Sequence, residues 1–264
     1  VRGWLTILRW HVRWERLRFL VLLACVVLFT AIFVGISDAF RPEEIEEMLD
    51  RMPTFLQKLA GHEADRMLTP EFWISTLVGH PIWLLLMLCF PVAAGLRCLS
   101  GLQGDGSLEW ILSQPISRNQ CFLAGLALVL GGSTLLCVAA GLSAWLAGAI
   151  WFPGEITTRF LFDCTLSNWA MTCAVGLFVL AMSASLPRPT SWVLGVLIAM
   201  GFLFILGSLW SPARPFSYLS LFAYHHPQTI YATGLRPGLV AGAFGWATFF
   251  GLFGWWRFTR RDLE

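Results

Sequence analysis

Long apolar runs alternate with short polar intervals along this chain, and the length of the runs decides what they are. A membrane span needs roughly 20 apolar residues, within a range of about 17–25. Six runs qualify, at about 19–36, 77–96, 121–150, 160–186, 191–210 and 238–256. The expected fold class is therefore all-α, a single polytopic membrane domain across residues 1–264 with six transmembrane helices. The third run is rich in Gly and small residues, which let helix backbones approach closely in lipid. At thirty residues it is tilted or reaches past the membrane. The first run is long enough to be a retained span rather than a cleaved leader.

The polar intervals carry patterns of their own. Residues 1–18 read VRGWLTILRWHVRWERLR. Trp4, Leu5, Leu8 and Val12 make an apolar side, while arginines including Arg9, Arg13 and Arg16 are placed to snorkel toward lipid head groups. This predicts an N-terminal interfacial amphipathic helix, with a plain basic flank as the alternative. Residues 37–76 hold nine acidic and four basic residues. Pro42, Glu43, Glu44, Glu46 and Glu47 suit a helix start. Ile45, Leu49, Met52, Leu56 and Leu59 continue as a stripe, bent at Pro53 and ended at Gly61. An extracytoplasmic helical segment is expected here, and a solvated helix face explains its acids better than a cation site does.

The interval 97–120 is the most informative. Gly106-Ser107-Leu108-Glu109-Trp110-Ile111-Leu112 reads as a helix start, with Asp105 or Ser107 placed to cap it. Leu108, Ile111 and Leu112 share one face, and Pro115 ends the helix. A short amphipathic helix between two spans has the shape of a docking element, and an ordinary connecting loop is the alternative.

The run G-S-L-E-W-I-L-S-Q-P-I-S-R resembles the signature that follows the second span in ABC-2 type transporter permeases. Gly106, Leu108, Glu109, Leu112, Pro115, Ser117 and Arg118 match it, and Ser107 stands where Thr is usual. Where that family carries acidic residues just before the motif, this chain has Leu102, Gln103 and Gly104. The tail Phe258, Arg260, Arg261, Asp262, Leu263 and the proline-bent segment Pro53–Gly61 also resemble family features, so the likeness extends along the chain. It implies an exporter permease whose cytoplasmic coupling region, residues 97–120, contacts a separate ATP-hydrolysing subunit through Gly106, Ser107, Leu108, Glu109, Ile111, Leu112, Pro115, Ser117 and Arg118. ATP and Mg would bind that partner, with no cofactor on this chain. A second copy or a related permease would complete the assembly, in a lipid bilayer and with no nucleic acid.

Composition agrees with a membrane protein. Hydrophobic residues make up 57% and charged residues 13% of the chain, against about 25% charged in soluble domains. Eleven arginines fall on one set of loops and seven Arg or Lys on the other when the spans alternate. The positive-inside rule then places both termini in the cytoplasm and the protein in the inner (plasma) membrane, with the Glu109 motif inside.

Chemistry on the chain itself finds little support. The single lysine, Lys58, lies in no Gly-Lys-Ser/Thr sequence, so the phosphate-cradling loop of an ATPase is lacking. The seven cysteines form no CxxC pair and sit in or beside apolar runs, as small buried hydrophobes do. His80, His225 and His226 fall near one membrane surface, but no metal-ligand spacing joins them. The spans hold almost no ionisable groups, which disfavours a membrane enzyme or proton-coupled carrier and suits a hydrophobic or amphipathic substrate. A non-transporting assembly, maturation or signalling component on the same permease fold is the alternative function.

Overall fold

The computed structural model describes residues 3–39 and 69–261, with side chains for 3–37, 69–210 and 212–261. Every regular element among them is helical, as lipid demands of a segment that must pair its own backbone polar groups. The expected helices from Pro42 to Gly61 lie outside the described residues, as do Arg2, Asp262 and Leu263.

Helix α1 runs unbroken from Gly3 to Ala39. The expected boundary between an interfacial helix over 1–18 and a span from 19 is not a break. One face explains this: Ile7, His11, Glu15, Val26, Thr30, Val34 and Ser37 are buried at helical spacing along its length, so a single stripe packs the helix against its neighbours. Leu5 and Val12, expected on the apolar side, are exposed. At about 1.5 Å per residue the helix reaches about 55 Å, well beyond a hydrocarbon core of about 30 Å.

The second apolar run is divided. Helix α2 (Pro70–Gly79) stops at His80, where α3 (Pro81–Leu96) begins. Pro81 offers no N–H and holds the preceding residue out of the helical region, so His80 sits at φ −69°, ψ 136°. Its Nδ1 accepts the Ile82 N–H at 3.2 Å and caps α3. The membrane-length helix thus starts at Pro81 rather than Leu77, and continues to Gly104. After it come α4 (Ser107–Ser113), α5 (Arg118–Trp151), α6 (Thr158–Ser185) and α7 (Thr190–Leu209). Short turns over Ser211–Ala213, Arg214–Ser217 and Leu221–Tyr224 lead to α8 (Pro227–Thr233) and α9 (Pro237–Arg260). Among the described residues α1, α3 with its extension, α5, α6, α7 and α9 are long and apolar enough to cross a membrane.

Contacts along these helices fix their directions. Parallel packing of α1 and α5 places Gly3 by Gln120, the Ser143 hydroxyl on the Val27 carbonyl at 3.1 Å, and Gly35 against the Trp151 ring. Helix α3 is antiparallel to α1, with Glu15 meeting Arg97, Phe19 meeting Phe90 and Phe29 meeting Trp83. Helices α3, α6 and α9 share one direction: Pro91 lies by Gly176, Trp169 by Phe244, and Phe178 by Phe250. Helix α6 forms the core, with most of its residues buried, whereas only Val193 and Gly207 of α7 are. Close approach of α6 and α9 requires Gly254, since a Cβ there would stand 2.8 Å from the Ala181 Cα.

This alternation gathers three features at one end of the bundle, the loop end. Residues 104–118 lie there, and Trp255 Nε1 of α9 donates to Asn119 Oδ1 at 2.9 Å. The start of α1 is beside them, with Gly3 against Gln120 and Ile116.

Candidate functional site

The loop end is built by a helix that changes pitch. After α3 the chain widens into a π-helical stretch, Arg97–Gly101, and a further helical turn, Leu102–Gly104. Insertions of this kind free backbone groups from the regular ladder. Here the Ser100 N–H donates to Ser183 Oγ at 2.9 Å, and Ser183 Oγ lies 3.0 Å from Ser100 Oγ. The widened turn is thereby pinned to α6.

The chain then reverses at Gly106, whose φ of 75° is in the left-handed region that glycine enters without steric cost. Gly106 holds the N-cap position of α4 and Ser107 is its first residue, so neither Asp105 nor Ser107 is the N-cap; Asp105 Oδ1, one residue earlier, accepts the Ser107 N–H at 2.9 Å. Leu108 and Ile111 are buried and Leu112 is half-buried, while Glu109 and Trp110 are exposed. Trp110 is 69% exposed, an unusual position for the largest apolar side chain on a seven-residue helix. Among the described residues Glu109 makes no ion pair. Gln114 turns the chain to extended backbone before Pro115. Ser117 and Gln120 form a reciprocal capping box on α5. Arg118 does not face outward with Glu109, because its Nη1 bonds the Arg261 carbonyl and ties α5 to the end of α9.

A buried carboxylate stands behind this loop. Glu15 is 4% exposed. Arg97 Nη1 reaches both of its oxygens, at 2.9 and 3.1 Å, and Arg18 adds a contact at 3.3 Å. The pair joins α1 to the π-helical turn. Arg97 opens the polar interval in the sequence, but Glu15 was missed. Its signal was present: it is the only acidic residue before Asp38. Arg9, Arg13 and Arg16 are exposed on α1.

A groove of about 1160 Å³ runs between α3 and α7. Its walls are apolar, with Leu84, Leu88 and Val92 facing Leu197, Ile198 and Phe204. Toward the loop end it is lined by Arg97, Ser100 and the Pro187-Arg188-Pro189 turn. Hydropathy gave no sign of this space, because it depends on which spans lie side by side.

At the opposite end the histidines are structural. His225 is buried, with Nε2 donating to the Val78 carbonyl at 3.3 Å and Nδ1 accepting from Ser167 Oγ at 3.1 Å. Burial pulls its pKa down to about 4. His226 is lowered as well, by burial first and then by Arg214 and Arg236. Among the described residues no three His, Cys, Asp or Glu side chains are placed to hold a metal.

Residues 8–259 match the family model described as the multidrug efflux system permease Rv1217c, C-terminal domain. The chain belongs to this family. It is a multi-pass membrane permease of the ABC-2 efflux-permease type, and the expected resemblance is met at that level over most of the chain. No curated protein and no solved structure matched.

Proposed function

We propose that this permease is the transmembrane subunit of an ABC exporter and that α4 is its coupling helix. The observation that carries the reading is the two-faced construction of α4. Leu108 and Ile111 anchor it inside, and Glu109 and Trp110 are presented outward, Glu109 with no ion pair among the described residues. A partner ATPase subunit, holding ATP and Mg, would dock on that outward face. Gly106, Ser107 and the turn Pro115-Ser117-Arg118 set the helix at its angle to the bundle. In the family's assembly a second copy or a related permease completes the membrane half. The loop end faces the cytoplasm in this reading, and exposed Arg9, Arg13 and Arg16 on α1 meet anionic head groups of the inner membrane.

Closure of the ATPase subunits would push α4, and the push would reach α3 through the π-helical turn and α5 through the Ser117 cap. The apolar groove between α3 and α7 offers a hydrophobic or amphipathic substrate a route along the same moving helix. Multidrug efflux, named in the family description, fits such a lining.

Glu109→Arg tests the assignment. In the complex co-expressed with its ATPase subunit, permease-dependent ATPase activity should fall about tenfold or more, because charge reversal at a docking face costs several kcal/mol. Yield and thermal unfolding of the permease should be unchanged, since Glu109 is exposed. Unaltered coupled ATPase activity in this variant would sink the coupling role.

A further inference from the structure

The groove between α3 and α7 is apolar along its walls and cationic at one end. We propose that it binds an acyl-chain amphiphile with an anionic head group, the head at Arg188 and Arg97 and the chain laid along α7. This deepens the exporter reading by naming the class of molecule the groove takes, and it rests on that reading only for the molecule's onward movement.

Length, lining and charge each point to this occupant. On α7 the lining extends from Thr190 to Ile205, about 22 Å at 1.5 Å per residue. One leaflet is about half of a core of about 30 Å, so a full acyl chain fits lengthwise. The volume, about 1160 Å³, exceeds the roughly 300–1,000 Å³ of ordinary small-molecule pockets. The described part of the wall offers the chain no ionisable group between Pro81 and Leu96, or between Thr190 and Ile205, apart from the Cys89 thiol.

At the loop end the charge is one-sided. Arg188 is exposed, lines the groove, and makes no ion pair among the described residues. Pro187 and Pro189 on either side restrict the backbone that carries it. Arg97 is partly offset by Glu15, yet Glu15 also holds Arg18, leaving the cluster net positive. The start of α7, which has no side-chain cap, adds the positive end of a helix dipole beside Thr190. A zwitterionic head would bring a cation against two arginines, whereas an anionic head would not.

Native mass spectrometry of the purified permease, without nucleotide, tests this with phosphatidylglycerol and phosphatidylcholine of the same acyl chains. The intact protein should bind phosphatidylglycerol in preference. Arg188→Gln should reduce that preference about fivefold, the worth of one arginine at an anionic membrane surface. Arg159→Gln, the same charge change at an exposed position in the first turn of α6, should leave it intact. Gly201→Trp should displace the lipid by filling the groove, because a Cβ at Gly201 meets only Phe222, at 4.0 Å. Arg97 is left unaltered, since removing it would strip the buried Glu15 of its main partner. Equal binding of both lipids would overturn the proposal. So would equal losses in the two arginine variants, lipid retention in Gly201→Trp, or equally effective competition by glycerol phosphate lacking a chain. Because no ATPase subunit is present, these failures are distinct from failure of the exporter assignment.

Discussion

Glu15 and Arg97 show how one side chain acquires meaning only in three dimensions. In the sequence Glu15 is an acid among arginines; in the fold it is buried and bridges α1 to the π-helical turn. Truncating one partner of a buried pair leaves an uncompensated charge, although Arg18 and the partial exposure of Arg97 soften the effect. Arg97→Ala is therefore expected to destabilise the detergent-solubilised protein by about 1–3 kcal/mol, read as a lower thermal midpoint. Adding Glu15→Gln should restore part of the loss, because the buried charge is then gone. A double variant as unstable as the sum of its parts would show that the two residues do not interact. By contrast, Leu108, Ile111 and Leu112 were legible from the sequence because their packing follows from spacing within a single helix. Glu15 was not, since its partner is on another helix.

At the scale of elements, the chain announced its spans through length and hydropathy but concealed their ends. Pro81 was visible in the sequence, yet the division of the second run at His80 depends on the chain finding a second helix, α2, to form beyond it. Pitch was also hidden: a residue inserted into a helix over Arg97–Gly101 changes neither composition nor period enough to register. Helix α4 was legible as a helix, and its angle rests on Gly106. A Cβ at Gly106 meets nothing within 4 Å, so substitution there acts on backbone conformation alone. Gly106→Val should disfavour the left-handed turn by about 1–2 kcal/mol. It should lower coupled ATPase activity several-fold with little change in the thermal midpoint of the bundle. Gly106→Asn, which tolerates that conformation, should retain most of the activity. Equal loss in both variants would mean that the turn's conformation is not what matters.

For the whole molecule, the contacts between helices give an alternating bundle around α6, with the start of α1, the α4 loop and the end of α9 at one end. Span count and arginine distribution foreshadowed that grouping. The groove between α3 and α7 was invisible, because no local pattern says which helices flank one another or leave a space between them. The family match establishes a permease, and the exposed face of α4 carries the proposal that it is driven by a partner. A photo-crosslinking amino acid in place of Trp110, compared with one in place of Trp210 at the opposite end, tests this most directly in intact membranes. The account predicts that the probe at position 110 captures a nucleotide-binding subunit, that Glu109→Arg abolishes the capture, and that the probe at position 210 does not capture it. Capture of that subunit only from position 210, or from neither position while the protein is inserted and folded, would contradict it.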